Sequence, residues 1–105
     1  MATICISALS SGETDRRERL ITLIQGLSKP DEKVMLLLYG DGVYNLVNGS
    51  KAAAEITETS ADIYVIAGDV EDRGLAGKII PQAQQIDYDR AVDLIMESDH
   101  TVTGV

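Results

Sequence analysis

Apolar positions follow two rhythms along this chain. In residues 2–7 and 34–39 they run almost unbroken. An apolar run of that length, without alternation, fits a strand covered on both faces in a parallel sheet flanked by helices. Residues 62–67, Asp-Ile-Tyr-Val-Ile-Ala, read as a third strand, and the three starts are spaced by roughly the thirty residues of a βαβ unit. Between them the period lengthens. Leu20, Leu23, Ile24 and Leu27 recur at i, i+3, i+4 and i+7, one helical face. Ser10 and Glu13 have the spacing of a capping box ahead of it. Arg16, Arg17, Glu18 and Arg19 read as its solvated first turns, and Pro30 ends it.

The stretch 33–47 is the focus of the pattern: a buried strand, the turn Gly40-Asp41-Gly42, then Val43, Leu46 and Val47 at helical spacing. Such a corner faces ligands in α/β folds. Further on, Asn48-Gly49-Ser50 breaks the chain, and a helix over 51–58 carries Ala52, Ala53 and Ile56 inward. Residues 68–75 read as a loop and short helix, and 78–82 lack pattern. Residues 84–86 read as a short fourth strand. Asp87 caps a helix with Ala91, Val92, Ile95 and Met96 on one side, and 101–103 give a last strand. The expected fold is a single three-layer α/β/α domain over 1–105, with a mainly parallel sheet of about five strands and right-handed crossovers.

Charge narrows the partners. Seventeen acids oppose nine Lys and Arg, for a formal net charge of −8. That surface repels phosphate backbones, so direct nucleic-acid binding is not expected, and a positively charged protein partner, or simple solubility, explains the charge better. The N-terminus lacks a basic region and a long enough apolar run for a signal peptide, and no segment approaches the roughly 20 apolar residues of a membrane span. The expectation is a cytoplasmic protein without membrane attachment.

Three groups of residues invite chemistry. Cys5 is the only thiol, which excludes an internal disulfide and a CxxC motif. Between Ile4 and Ile6 in a strand it reads as a small buried hydrophobe rather than a sulfur carrier. Asp41 and Asp69 each follow an apolar strand, and Arg73 is a natural partner for either. Two acids at a sheet edge can bind a metal or act as paired carboxylates, but capping the short helices that follow is the simpler role. Ser10, Ser11 and Gly12 before a helix are similar to an anion loop, opposed by Glu13 and Asp15 and lacking any phosphate-binding glycine motif. Asp99-His100 has no nucleophile to serve and reads as a helix-to-strand turn. No metal site or cofactor is expected.

Asp41-Gly42-Val43-Tyr44, Tyr64-Val65-Ile66 with Asp69-Val70-x-x-Arg73-Gly74-Leu75, and Ile86-Asp87-Tyr88 together resemble the DsrE/DsrF/DsrH-like sulfur-relay family, and most closely its DsrH/TusB branch. The resemblance spans nearly the whole chain in order. It implies a small α/β subunit of a hetero-oligomer that passes persulfide sulfur between proteins, for tRNA wobble 2-thiouridine formation or for dissimilatory sulfur oxidation. The implied partners are DsrE/TusD-like and DsrF/TusC-like subunits, with a DsrC/TusE-like sulfur acceptor; a homo-oligomer is the alternative assembly. In that family the carrier cysteine sits in the loop after the third strand of the DsrE/TusD-type subunit. Here the region 67–72 is Ala-Gly-Asp-Val-Glu-Asp, without cysteine. The expected role is therefore a non-catalytic subunit of a sulfurtransferase complex, with Asp41, Asp69 and Arg73 organising a structural or docking corner. A stand-alone sulfurtransferase using Cys5, or a nucleotide- or anion-binding module using Ser10, Ser11 and Gly12, are the alternatives.

Overall fold

The structure, a computed structural model, describes residues 1–10 and 12–103. It contains five strands, β1 (Ala2–Ser7), β2 (Lys33–Leu38), β3 (Asp62–Ile66), β4 (Ala83–Ile86) and β5 (His100–Val102), and four α-helices, α1 (Thr14–Leu27), α2 (Lys51–Thr57), α3 (Ala67–Asp72) and α4 (Tyr88–Glu97). All the strand pairings are parallel and the order across the sheet is β4-β3-β2-β1-β5. The expected α/β architecture is present.

This order explains how the layers divide. The connections β1 to β2, β2 to β3 and β3 to β4 all step the same way across the sheet, and right-handed crossovers place their helices on one face. Only the return from β4 to β5 steps back, so its helix, α4, must lie on the other face. The buried side chains separate accordingly. Cys5, Leu36, Leu38, Val65 and Val70 pack with Leu20 and Ile24 of α1 and Ala53 and Ile56 of α2. Ile4, Met35, Leu37, Ile66 and Ile86 pack with Ala91 and Leu94 of α4. The unbroken apolar runs of β1 and β2 are the sequence trace of this two-sided burial.

Local differences from the sequence reading have physical causes. The corner after β2 is one 3-10 helix, Gly40–Leu46, rather than a glycine turn followed by a helix. Gly40 enters it at φ +54, and a Cβ on Gly42 would lie 2.8 Å from the Ser7 carbonyl oxygen, so both glycines are needed there. β3 stops at Ile66 because Ala67 already begins α3. Arg17 is not in a solvated turn: it is 4% exposed, and its Nε donates to Glu55 of α2 at 3.0 Å. Helix α1 therefore spends a charged side chain on holding α2. Residues 78–82 are held by backbone bonds to the end of the 3-10 helix, Asn48 N–H to Lys78 O at 2.7 Å and Ile80 N–H to Leu46 O at 2.9 Å.

In helix α4 the structure divides what the pattern groups together. Asp87 caps it as expected, its side chain accepting from Arg90 N–H at 2.8 Å. Its sheet-facing residues are Ala91, Leu94 and the half-buried Ile95. Of the four apolar residues expected on one side, Ala91 and Ile95 turn toward the sheet, while Val92 and Met96 face outward at 56% and 80% exposure. The apolar arc of α4 is wider than its sheet can cover. After it, Asp99 accepts from Ala2 N–H at 2.7 Å and turns the chain into β5, the structural role expected of Asp99-His100.

Candidate functional site

In a parallel sheet with this connectivity, the carboxyl ends of β2, β3 and β4 share one edge, and each strand hands the chain to an element that brings a polar side chain back over it. The 3-10 helix supplies Asp41. Helix α3 supplies Asp69 in its first turn and Arg73 at its C-cap, and α4 supplies Tyr88 at its first residue. Arg73 Nε and Nη2 each donate to Asp41 Oδ1 at 3.2 Å, and Nη1 donates to the Asp69 carbonyl oxygen at 3.1 Å. The Asp69 carboxylate accepts from Gly40 N–H at 2.8 Å and from the Tyr88 hydroxyl at 3.3 and 3.4 Å. Three connections are thereby cross-linked through one carboxylate and one guanidinium.

Neither acid caps the helix that contains it, the role that was the simpler expectation. The N-caps are Tyr39 and Ile66, neither with a side-chain cap bond. Asp69 reaches instead to a neighbouring element, accepting from the Gly40 amide just past the end of β2. Arg73 is three-quarters buried and Asp41 is 65% exposed, so their contact is a surface ion pair worth about 0.2–1 kcal/mol. Its use is positional. With three guanidinium nitrogens turned inward, Arg73 braces α3 against the corner. The Asp69 charge holds the Tyr88 phenol above its usual pKa, since ionising it would set two negative charges within hydrogen-bond distance.

The other candidates lie apart from this cluster. Cys5 is 0% exposed, inside the core between the sheet and α1, and burial raises its thiol pKa. A neutral, enclosed thiol is neither nucleophilic nor reachable. Ser10 donates through both N–H and Oγ to Glu13 Oε2, at 3.1 and 3.3 Å, so a carboxylate of the chain already occupies these donors. Glu13 is bonded in turn to Arg16 at 2.9 Å; that bond and the Ser10 amide lower its pKa. Gly12 is exposed, and Ser11 lies outside the described residues. The sheet's switch in strand order falls between β1 and β5, where ligand crevices open in such folds, whereas the Asp41–Arg73–Asp69–Tyr88 cluster stands over β2, β3 and β4. Among the described residues no three His, Cys, Asp or Glu side chains are grouped as metal ligands, and no helix is long and apolar enough to cross a membrane.

Two participants were not singled out as site residues from sequence. Tyr88 belongs to the Ile86-Asp87-Tyr88 motif and lies two residues past β4, close to the three-residue offset of Asp41 from β2 and of Asp69 from β3. Asn45 is buried, its Nδ2 donating to Leu9 O at 2.6 Å and Gly42 O at 3.1 Å, which ties the segment after β1 to the corner. No pattern in the sequence distinguishes Asn45 from an ordinary exposed amide.

Comparison with known proteins bears on the family and the fold. A family model described as DsrH like protein matches residues 14–101. Among solved structures, the crystal structure of the ychN protein from E. coli superposes with a TM-score of 0.72 over 97% of this chain and 96% of that chain, at 14% identity. The likeness is one of fold. No curated protein matches the sequence.

Proposed function

The chain belongs to the DsrH-like family, since the family model covers most of its length, and from that membership we propose that it is a non-catalytic subunit of a sulfur-relay complex that transfers persulfide sulfur. The observation that carries the non-catalytic part is the absence of a usable thiol. The segment after β3 where the family's carrier subunits hold their cysteine is here α3, Ala-Gly-Asp-Val-Glu-Asp, and the one cysteine of the chain is enclosed in the core. Persulfide transfer needs a thiolate that both donor and acceptor can reach. This chain offers none, so the reacting sulfur belongs to a partner.

In this reading the carboxyl-edge cluster is a docking corner. Asp69 and Arg73 fix α3 and the 3-10 helix in one arrangement, and Asp41 and Tyr88 stand at its exposed rim. A rigid corner loses little freedom on association, which favours a permanent subunit contact. The partners are DsrE/TusD-like and DsrF/TusC-like subunits, with a DsrC/TusE-like acceptor downstream. Those partners decide whether the sulfur goes to tRNA wobble uridine or is used in sulfur oxidation. All of them would work in the cytoplasm. Co-expression with the DsrE- and DsrF-like subunits of the same organism, followed by native mass spectrometry, tests this. A stoichiometric hetero-oligomer containing this chain is expected; recovery of the chain free while both partners are soluble defeats the proposal.

A further inference from the structure

We infer that the outward face of α4 is an interaction surface for a subunit of different sequence, one that presents an apolar contact rimmed by Lys or Arg. Tyr88, Val92 and Met96 occur at i, i+4 and i+8 and are 61%, 56% and 80% exposed. On a helix turning about 100° per residue, the apolar arc from Leu94 through Ala91, Ile95, Tyr88 and Val92 to Met96 spans about 200°. The sheet needs only the half that holds Ala91 and Leu94. The surplus forms a stripe about 12 Å long, and the exposed Tyr39 extends it: Tyr39 precedes Gly40, whose amide shares the Asp69 carboxylate with the Tyr88 hydroxyl. Large apolar side chains gathered in this way mark a surface that is covered in use.

Charge selects the occupant. Asp89, Asp93 and Glu97 repeat at the same spacing beside the stripe, all exposed, and Glu71 and Asp72 are exposed on α3 next to the corner. The local cations are already paired: Arg90 lies 3.7 Å from Glu97, and Arg73 is bonded to Asp41. A second copy would bring its own acidic row against this one, with a formal charge of −8 on each chain, and like charges across an interface suppress that pairing. A partner with basic residues around an apolar centre meets both rows. The orientation is anchored, because Tyr88 at one end of the stripe is hydrogen-bonded to Asp69 and so couples the α4 face to the carboxyl-edge corner.

This inference rests on the reading of the chain as a complex subunit, and the test separates the two. The chain is titrated with the co-purified DsrE- and DsrF-like subunits, comparing wild type with the double variants Val92→Glu/Met96→Glu and Asp89→Lys/Asp93→Lys, and with Thr22→Glu on exposed α1 as control. The substituted side chains are solvent-exposed, and melting temperatures near wild type confirm that folding is intact. Burying new charge in the stripe is expected to weaken binding by about ten-fold or more. Reversing the acidic row weakens it several-fold and flattens its salt dependence, while T22E binds as wild type. A complex that forms with wild-type affinity in both double variants overturns the α4 surface and leaves the subunit role standing. A wild-type homodimer that V92E/M96E dissociates overturns the assignment of a different subunit to this surface, since it would make a second copy the occupant. Failure of any complex to form removes the subunit role and this surface together.

Discussion

Tyr88 and Cys5 show how far a single residue's chemistry depends on what the fold puts beside it. In the sequence Tyr88 stands out only as part of a motif; the neighbouring ends of β3 and β4 bring its hydroxyl to Asp69. Its raised pKa has a definite sign for stability. The folded chain holds the phenolic proton more tightly than the unfolded chain, so the contribution is complete below the ordinary value of about 10 and is lost as pH rises through the raised value. Spectroscopic titration of tyrosinate should show one tyrosine ionising late. Tyr88→Phe should remove that late phase and Asp69→Asn should bring it back toward normal; a late phase that survives both places it on another tyrosine. Cys5 behaves in the opposite way, since its strand position already reads as burial. Native alkylation is expected to be slow, becoming fast only in denaturant, and a persulfide donor should leave no +32 Da adduct (one sulfur atom). Rapid native labelling would reopen the stand-alone sulfurtransferase.

At the scale of elements, α4 is where periodicity alone is incomplete. Its sequence has apolar residues through half a turn, and periodicity finds the apolar arc without saying which part of it the sheet will cover. Leu94, 2% exposed, is the anchor. Leu94→Ala should cost about 2–5 kcal/mol in urea denaturation, whereas Val92→Ala should stay within about 0.5 kcal/mol. Equal losses would mean that α4 is rotated from the arrangement described. Helix α1 gives the complementary lesson. Its leucines place its inner face correctly, yet Arg17 is buried as well, because Glu55 of α2 stands opposite to neutralise it. The partner is 38 residues away along the chain, beyond the reach of any local pattern.

For the whole molecule, sheet order governs both stability and the position of the cluster. β1, β2 and β3 each have a hydrogen-bonded neighbour on both sides, while β4 and the three-residue β5 are edges. Amide exchange should be slowest in β1 to β3 and fastest among the strands in β5; strong protection of β5 in the isolated chain would contradict this order. Among the described residues the same order leaves α4 as the one helix on its face of the sheet, which is why its outer side is uncovered in the chain.

Local periodicity, turn residues and the length of apolar runs carry the α/β class, the mainly parallel sheet, most element positions and the expectation that Cys5 is buried. The motifs that resembled the DsrH branch are spread over the chain in order, and so were legible too. Asp41, Asp69 and Arg73 were visible as candidates, though not what they bond to. The packed fold alone shows that Asp69 takes the Gly40 amide and the Tyr88 hydroxyl rather than capping α3, that Arg73 braces the corner, and that Val92 and Met96 face outward. Those outcomes depend on strand order and on which connection crosses which face. Strand order is set by the summed packing of the whole sheet, and no single stretch of this chain encodes it.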